Sequence, residues 1–98
     1  MVKVALFGQK TSTSLEDIIT PFLNYLNVHQ IEYCIEEKFL QTISVLTDVD
    51  LSNVEKFTSH EDLDKTVKFF FTFGGDGTIL LATTIVRDSG IPIVGVNT

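Results

Sequence analysis

Gly74-Gly75-Asp76-Gly77-Thr78 sets three glycines around a single carboxylate. Glycine has no side chain to hold a ligand away from the main chain, so such a stretch lets backbone amides meet phosphate oxygens. An acid beside bound phosphates is repulsive unless a metal ion or a proton transfer makes use of it. Moving a phosphoryl group onto a hydroxyl is chemistry of that kind. Plainer readings fit the same residues. Gly74 and Gly75 also suit a tight strand-to-helix turn that needs positive φ. Asp76 also suits a helix cap or a partner of the helix dipole.

The neighbouring segments say what must hold this turn. Val67 to Phe73 is a strongly apolar run that reads as a buried strand, and its Phe69-Phe70-Phe71 core suits a sheet covered on both sides rather than a platform for stacking bases. Thr78 to Arg87 reads as a helix. Ser89-Gly90 stops it, Pro92 prevents its continuation, and Ile91 to Val96 forms a further strand. At the other end, Val2 to Phe7 is a first strand closed by Gly8. Thr13 and Glu16 stand three apart as in a capping box. Leu15, Ile18, Ile19, Phe22, Leu23 and Leu26 then share one helical stripe, with a kink or irregular turn expected at Pro21. Ile31 to Ile35 supplies a second strand, and Phe39, Leu40 and Ile43 a short helix. Residues 44–65 follow no regular period.

This order implies an α/β fold of the Rossmann-like three-layer kind, a mostly parallel sheet with helices on both faces. Ligands in such sheets gather beyond the carboxyl ends of the strands, where the winding reverses. Gly8-Gln9-Lys10, the glycine-aspartate turn and Asn97-Thr98 are expected to meet at that edge.

The chain has 98 residues, 44% hydrophobic and 20% charged, which fits one modest globular domain. A net charge of −6 argues against a nucleic-acid groove. Most of the acids fall between Glu32 and Asp64 and read as a solvated face. The single cysteine, Cys34, lies in an apolar run and reads as a core strand residue. His29 and His60 lack companions at metal-ligand spacing, so no protein metal site is expected. No apolar run nears the ~20 residues that span a bilayer, and the start carries no signal-peptide pattern. A cytoplasmic protein is expected.

Phe73 to Leu80, followed by Ile91-Pro92-Ile93-Val94-Gly95-Val96-Asn97-Thr98, resembles the NAD kinase family, within the superfamily that also holds diacylglycerol-type lipid kinases and 6-phosphofructokinases. The likeness runs through the whole chain in order and is most specific over residues 73–98. It implies the N-terminal α/β domain of an ATP-dependent NAD kinase, and so a truncated piece whose all-β C-terminal domain lies elsewhere. In that family the aspartate takes the proton from the adenosine ribose 2′-hydroxyl of NAD, and the oxygen attacks the terminal phosphoryl group of ATP or polyphosphate. The resemblance thereby assigns Asp76 as the base and Asp76 with Gly77 to the dinucleotide. Gly74 and Gly75 fall to phosphates and Thr78 to the start of the helix. It also implies Mg²⁺ and a homo-oligomeric parent. Many members carry a basic residue five positions after the aspartate, where this chain has Leu81.

Weaker candidates are Gly8 and Lys10 at the first strand's exit, where Lys10 meets phosphate or is an ordinary solvated lysine. Asn97 touches substrate or ties its own loop. The alternatives to an NAD kinase are a lipid kinase of the same superfamily and a non-catalytic nucleotide-binding module. The chain also stops at a strand exit, which reads as a fragment expected to be inactive by itself.

Overall fold

The structure is a computed structural model that describes residues 2–9 and 13–98. Its centre is a sheet of five strands, all parallel. In chain order these are β1 (Lys3–Gly8), β2 (Glu32–Glu36), β3 (Glu55–Phe57), β4 (Val67–Gly74) and β5 (Ile93–Asn97). Their order across the sheet is β3-β2-β1-β4-β5. The winding runs outward from β1 through β2 to β3, then returns to β1's other side for β4 and β5. Every residue of β1 is buried, as its central position requires.

Three α-helices cover the sheet: α1 (Thr13–Val28), α2 (Glu37–Ser44) and α3 (Asp76–Val86). Strand alternation divides the core between two faces. Val4, Leu6, Ile35 and Phe73 meet Leu15, Ile19, Leu23 and Leu26 of α1 and Phe39 and Ile43 of α2. On the other face Ala5, Phe7, Cys34, Phe57 and Phe70 meet Ala82 and Val86 of α3. The three-layer α/β fold expected from the order of elements is the one found.

Several expectations need correcting. The sheet has a fifth strand, β3, inside residues 44–65. It is three residues long, with Glu55 and Lys56 exposed and only Phe57 buried, too short and too polar to betray a period. Pro21 does not interrupt α1, which is one 16-residue helix. Its ring lies on the exposed side, where the Asp17 carbonyl it leaves unpaired can be solvated. Thr13 is already helical, so it does not occupy the expected capping position. α3 starts at Asp76 instead of Thr78, because Thr78 N and Ile79 N both donate to Gly75 O, at 3.1 and 3.3 Å. Its last expected residue, Arg87, lies instead in a short 3-10 turn (Arg87–Ser89) ended by Gly90 at φ 76°. The Phe69-Phe70-Phe71 run is only partly core: Phe70 is fully buried, Phe71 half-buried and Phe69 42% exposed. The reason is coverage, since α1 and α2 overlie the β1–β2 side and leave the outer part of β4 and β5 thinly covered.

Candidate functional site

All five strands run the same way, so their carboxyl ends form one edge. β1 and β4 diverge in winding there, with Gly8 opposite Phe73 in register and Gly74 opposite Asn97. The convergence expected of the Gly8-Gln9, Gly74–Thr78 and Asn97-Thr98 segments is found. Thr98 N donates to Gly74 O at 3.4 Å, and Thr78 Oγ1 donates to Gln9 Oε1 at 3.4 Å. Lys10 lies outside the described residues.

Each glycine of the turn has a different reason to be glycine. Gly74 has φ +154°, and a Cβ there would run into Thr78 Oγ1 and lie 3.1 Å from Thr78 Cβ. The main chain and the buried Thr78 demand it. Gly75 has φ −107°, and a Cβ there would have nothing within 4 Å. Gly77 is helical, with equally open space. Alanine would suit a helix better at Gly77, by about 0.5–1 kcal/mol. A tight turn explains Gly74 but neither Gly75 nor Gly77. Bare backbone at those two positions matters only to something approaching from outside. Gly8 is explained by packing, since a Cβ there would lie 2.5 Å from Phe39 Cε1 and 2.9 Å from Phe73 O.

Gly75, not Asp76, is the residue that caps α3, and no side chain bonds that cap. Asp76 is the first helical residue, so the plain reading of Asp76 as a cap fails. Its side chain is exposed, and the one salt bridge among the described residues joins Lys3 to Glu55, far from Asp76. The carboxylate thus faces solvent at the switch point, free of any ion pair there. As first-turn residues, Asp76 and Gly77 have amides with no carbonyl to reach inside the helix. Together with the helix dipole they suit a negatively charged ligand. Asn97 is exposed as the last residue of β5, and no hydrogen bond ties its side chain to its loop among the described residues. Thr78 is buried and oriented toward Gln9, which makes it a bracket between the β1 and β4 exits.

Beside the turn, on the β1–β2–β3 side, lies a cavity of about 520 Å³. Gly8, Gln9, Glu37, Lys38, Thr58 and Leu81 contribute to its lining. Of these, only Gly8 and its loop were expected from sequence. Lys38 and Thr58 were not, because nothing local signals that the exits of β2 and β3 open onto the same space. A second cavity, of about 510 Å³, lies around Lys3, Asn27, Glu32, Asp50 and Glu55 at the amino end of the strands. It is remote from the glycine-aspartate turn.

Residues 4–98 match the family model described as the ATP-NAD kinase N-terminal domain. The chain belongs to the NAD kinase family. Among similar NAD kinases, that of Flavobacterium psychrophilum is 44% identical over 97 residues, covering 98% of this chain and 32% of the relative. That of Flavobacterium johnsoniae is 36% identical, covering 98% and 32%. That of Christiangramia forsetii is 36% identical, covering 99% and 33%. The chain therefore spans about a third of the length of these NAD kinases. The fold is also that of yeast NADH kinase, solved in complex with NADH, with a TM-score of 0.75 over all of this chain and 30% of that one, at 17% identity. Among the described residues no helix is long and apolar enough to cross a membrane.

Proposed function

We propose that the full-length protein containing this chain is an ATP-dependent NAD kinase, which phosphorylates the 2′-hydroxyl of the adenosine ribose of NAD to give NADP. The reading is carried by one observation, an exposed and unpaired carboxylate at the switch point of an NAD kinase-family sheet. Asp76 accepts the proton of the 2′-hydroxyl. The oxygen bonds to the terminal phosphorus of ATP as the bridging oxygen departs with ADP. Polyphosphate is the alternative donor.

Positioned base catalysis is worth about 10²–10⁴-fold, and alignment with charge neutralisation supplies much of the rest. The main chain at Gly74 and Gly75 lies against phosphate oxygens, Asp76 with Gly77 contacts the dinucleotide, and Asn97 meets it from the β5 side. The donor enters as its Mg²⁺ complex. No group of three or more His, Cys, Asp or Glu side chains stands ready to hold a metal among the described residues. Mg²⁺ fits that arrangement, since it keeps its waters and binds chiefly through substrate phosphates. The remaining two thirds of the protein would complete the NAD pocket and the homo-oligomer, in the cytoplasm, so residues 1–98 alone are expected to be inactive.

The test is NADP formation by the full-length protein supplied with NAD and Mg·ATP, with diacylglycerol and fructose 6-phosphate as competing acceptors. Asp76→Asn is expected to bind NAD and lose activity about 10²–10⁴-fold. Near-normal turnover by that variant removes Asp76 from the role of base. Absence of NADP formation by the folded full-length protein overturns the function.

A further inference from the structure

Gly95 has no local reason to be glycine. It stands in the middle of β5, between Val94 and Val96, where glycine is a poor strand former and a β-branched residue fits better. Its φ lies outside the left-handed region, so the main chain places no demand on residue type. The pairing of β5 with β4 runs unbroken from Phe70 opposite Ile93 to Gly74 opposite Asn97, so no bulge accounts for it either. A glycine inside a regular strand then marks a place where another part of the molecule, or a ligand, comes close.

Here it is α3 that comes close. A Cβ at Gly95 would lie 3.0 Å from Ile79 Cδ1 and 3.6 Å from Ile79 Cγ1, the first of them closer than carbon atoms pack. Ile79 follows Asp76 by three residues in α3, which makes the two neighbours on the helix surface. On its other side the first turn of α3 is held by Thr78, which is buried over Gly74 and directed at Gln9. The turn is thus seated between two glycines. Gly74 is also required by its φ of +154°, whereas Gly95 is required only by the Ile79 side chain.

We propose that Gly95 is a positioning residue for the phosphoryl transfer. By admitting Ile79 against the bare main chain of β5, it sets the height of the first turn of α3 over the sheet, and with it the place of the Asp76 carboxylate. This rests on the kinase reading above and adds a residue that acts through Ile79 instead of touching a substrate. Ile79 is 37% exposed, so most of its side chain is enclosed and cannot swing aside freely. A methyl group added at Gly95 therefore displaces the helix start by a few tenths of an ångström. A misplacement of about 1 Å in an active site costs about 10²-fold in rate, so the smaller shift is felt several-fold.

The experiment uses the full-length protein, its Gly95→Ala and Ile79→Val variants, and the Gly95→Ala, Ile79→Val double variant. Ile79→Val removes Cδ1, the atom that the new Cβ would meet. Steady-state kinetics give kcat and separate KM values for NAD and Mg·ATP. Hydrogen exchange read by mass spectrometry follows the Thr78 and Ile79 amides, which close the first turn on Gly75 O. Gly95→Ala is expected to lower kcat roughly 3–10-fold, with both KM values within about twofold, and to alter exchange at the first turn. The double variant should return kcat and exchange to those of Ile79→Val alone. Unchanged kcat and exchange in Gly95→Ala overturn the proposal and leave the NAD kinase reading intact. A loss of kcat that the double variant does not repair also overturns it, because Gly95 then serves a ligand lying directly on β5. If wild-type protein makes no NADP, the kinase reading fails, and the exchange measurements still decide whether Gly95 seats α3.

Discussion

Gly74, Gly75 and Gly77 share a residue type but not a cause, and single substitutions should separate them. Gly74→Ala adds a Cβ at φ +154° against Thr78, so it is expected to destabilise the fold by about 2–3 kcal/mol, seen as a lower urea midpoint. Gly77→Ala meets open space inside a helix. It should leave stability unchanged or raise it by about 0.5–1 kcal/mol while reducing activity of the full-length enzyme. Equal loss of stability in both variants would show that the turn as a whole, and not ligand approach, dictates these glycines. The residue types of this site were readable from sequence. Which glycine served which purpose was not, because φ and the space beside a Cβ are set by neighbours such as Thr78, distant elements included.

At the scale of elements, α1 and α2 were legible because buried residues at helical spacing leave a pattern. β3 was not, since three residues with one buried phenylalanine leave none. α2 depends on a cap that the sequence did not advertise. Glu36 is the last residue of β2, and its carboxylate holds two amides of the next helix. Glu36→Ala should cost about 1 kcal/mol in urea unfolding.

On the α3 face of the sheet, Lys3, Cys34 and Glu55 come from three adjacent strands, with Lys3 Nζ 2.5 Å from Glu55 Oε2. Burial lowers the Lys3 pKa, but the hydrogen bond and charge of Glu55 outweigh it and hold it above its ordinary 10.5. Burial raises Cys34 from 9.0 to about 11. Both groups bind protons more tightly when folded, so the Cys34 contribution is intact below pH 9 and is lost as pH rises through about 11, whereas that of Lys3 is intact below 10.5 and is lost above it. For Cys34 the loss is on the order of 2 kcal/mol. Urea midpoints compared at pH 8 and pH 11 should fall less for Cys34→Ala than for the parent. A parallel fall in both proteins would remove the thiol from this account.

For the molecule as a whole, topology decides where chemistry is possible. Five parallel strands in the order β3-β2-β1-β4-β5 put every strand exit on one edge and open it between β1 and β4. The same topology leaves the two outer strands unequal. β3 carries exposed Glu55 and Lys56, which discourage pairing with another strand. β5 carries no charge, and Val94, Val96 and the exposed Phe69 leave apolar surface near it. A polypeptide of residues 1–98 is therefore expected to self-associate through this side, giving sedimentation that depends on concentration. Val94→Lys should suppress the association, whereas association unaffected by that change would place the contact elsewhere.

Apolar runs, helical spacing and turn residues by themselves determined the α/β class, four of the five strands and, apart from their ends, the three helices among the described residues. These are local properties, since an apolar period or a strand-ending glycine acts within a few residues of itself. Tertiary structure alone decided that Asp76 stands exposed and unpaired, that Gly75 and Gly77 face open space, and that Lys38 and Leu81 border one cavity. Those facts depend on strand order and coverage. Both arise from contacts between residues far apart in the chain, which no local pattern encodes.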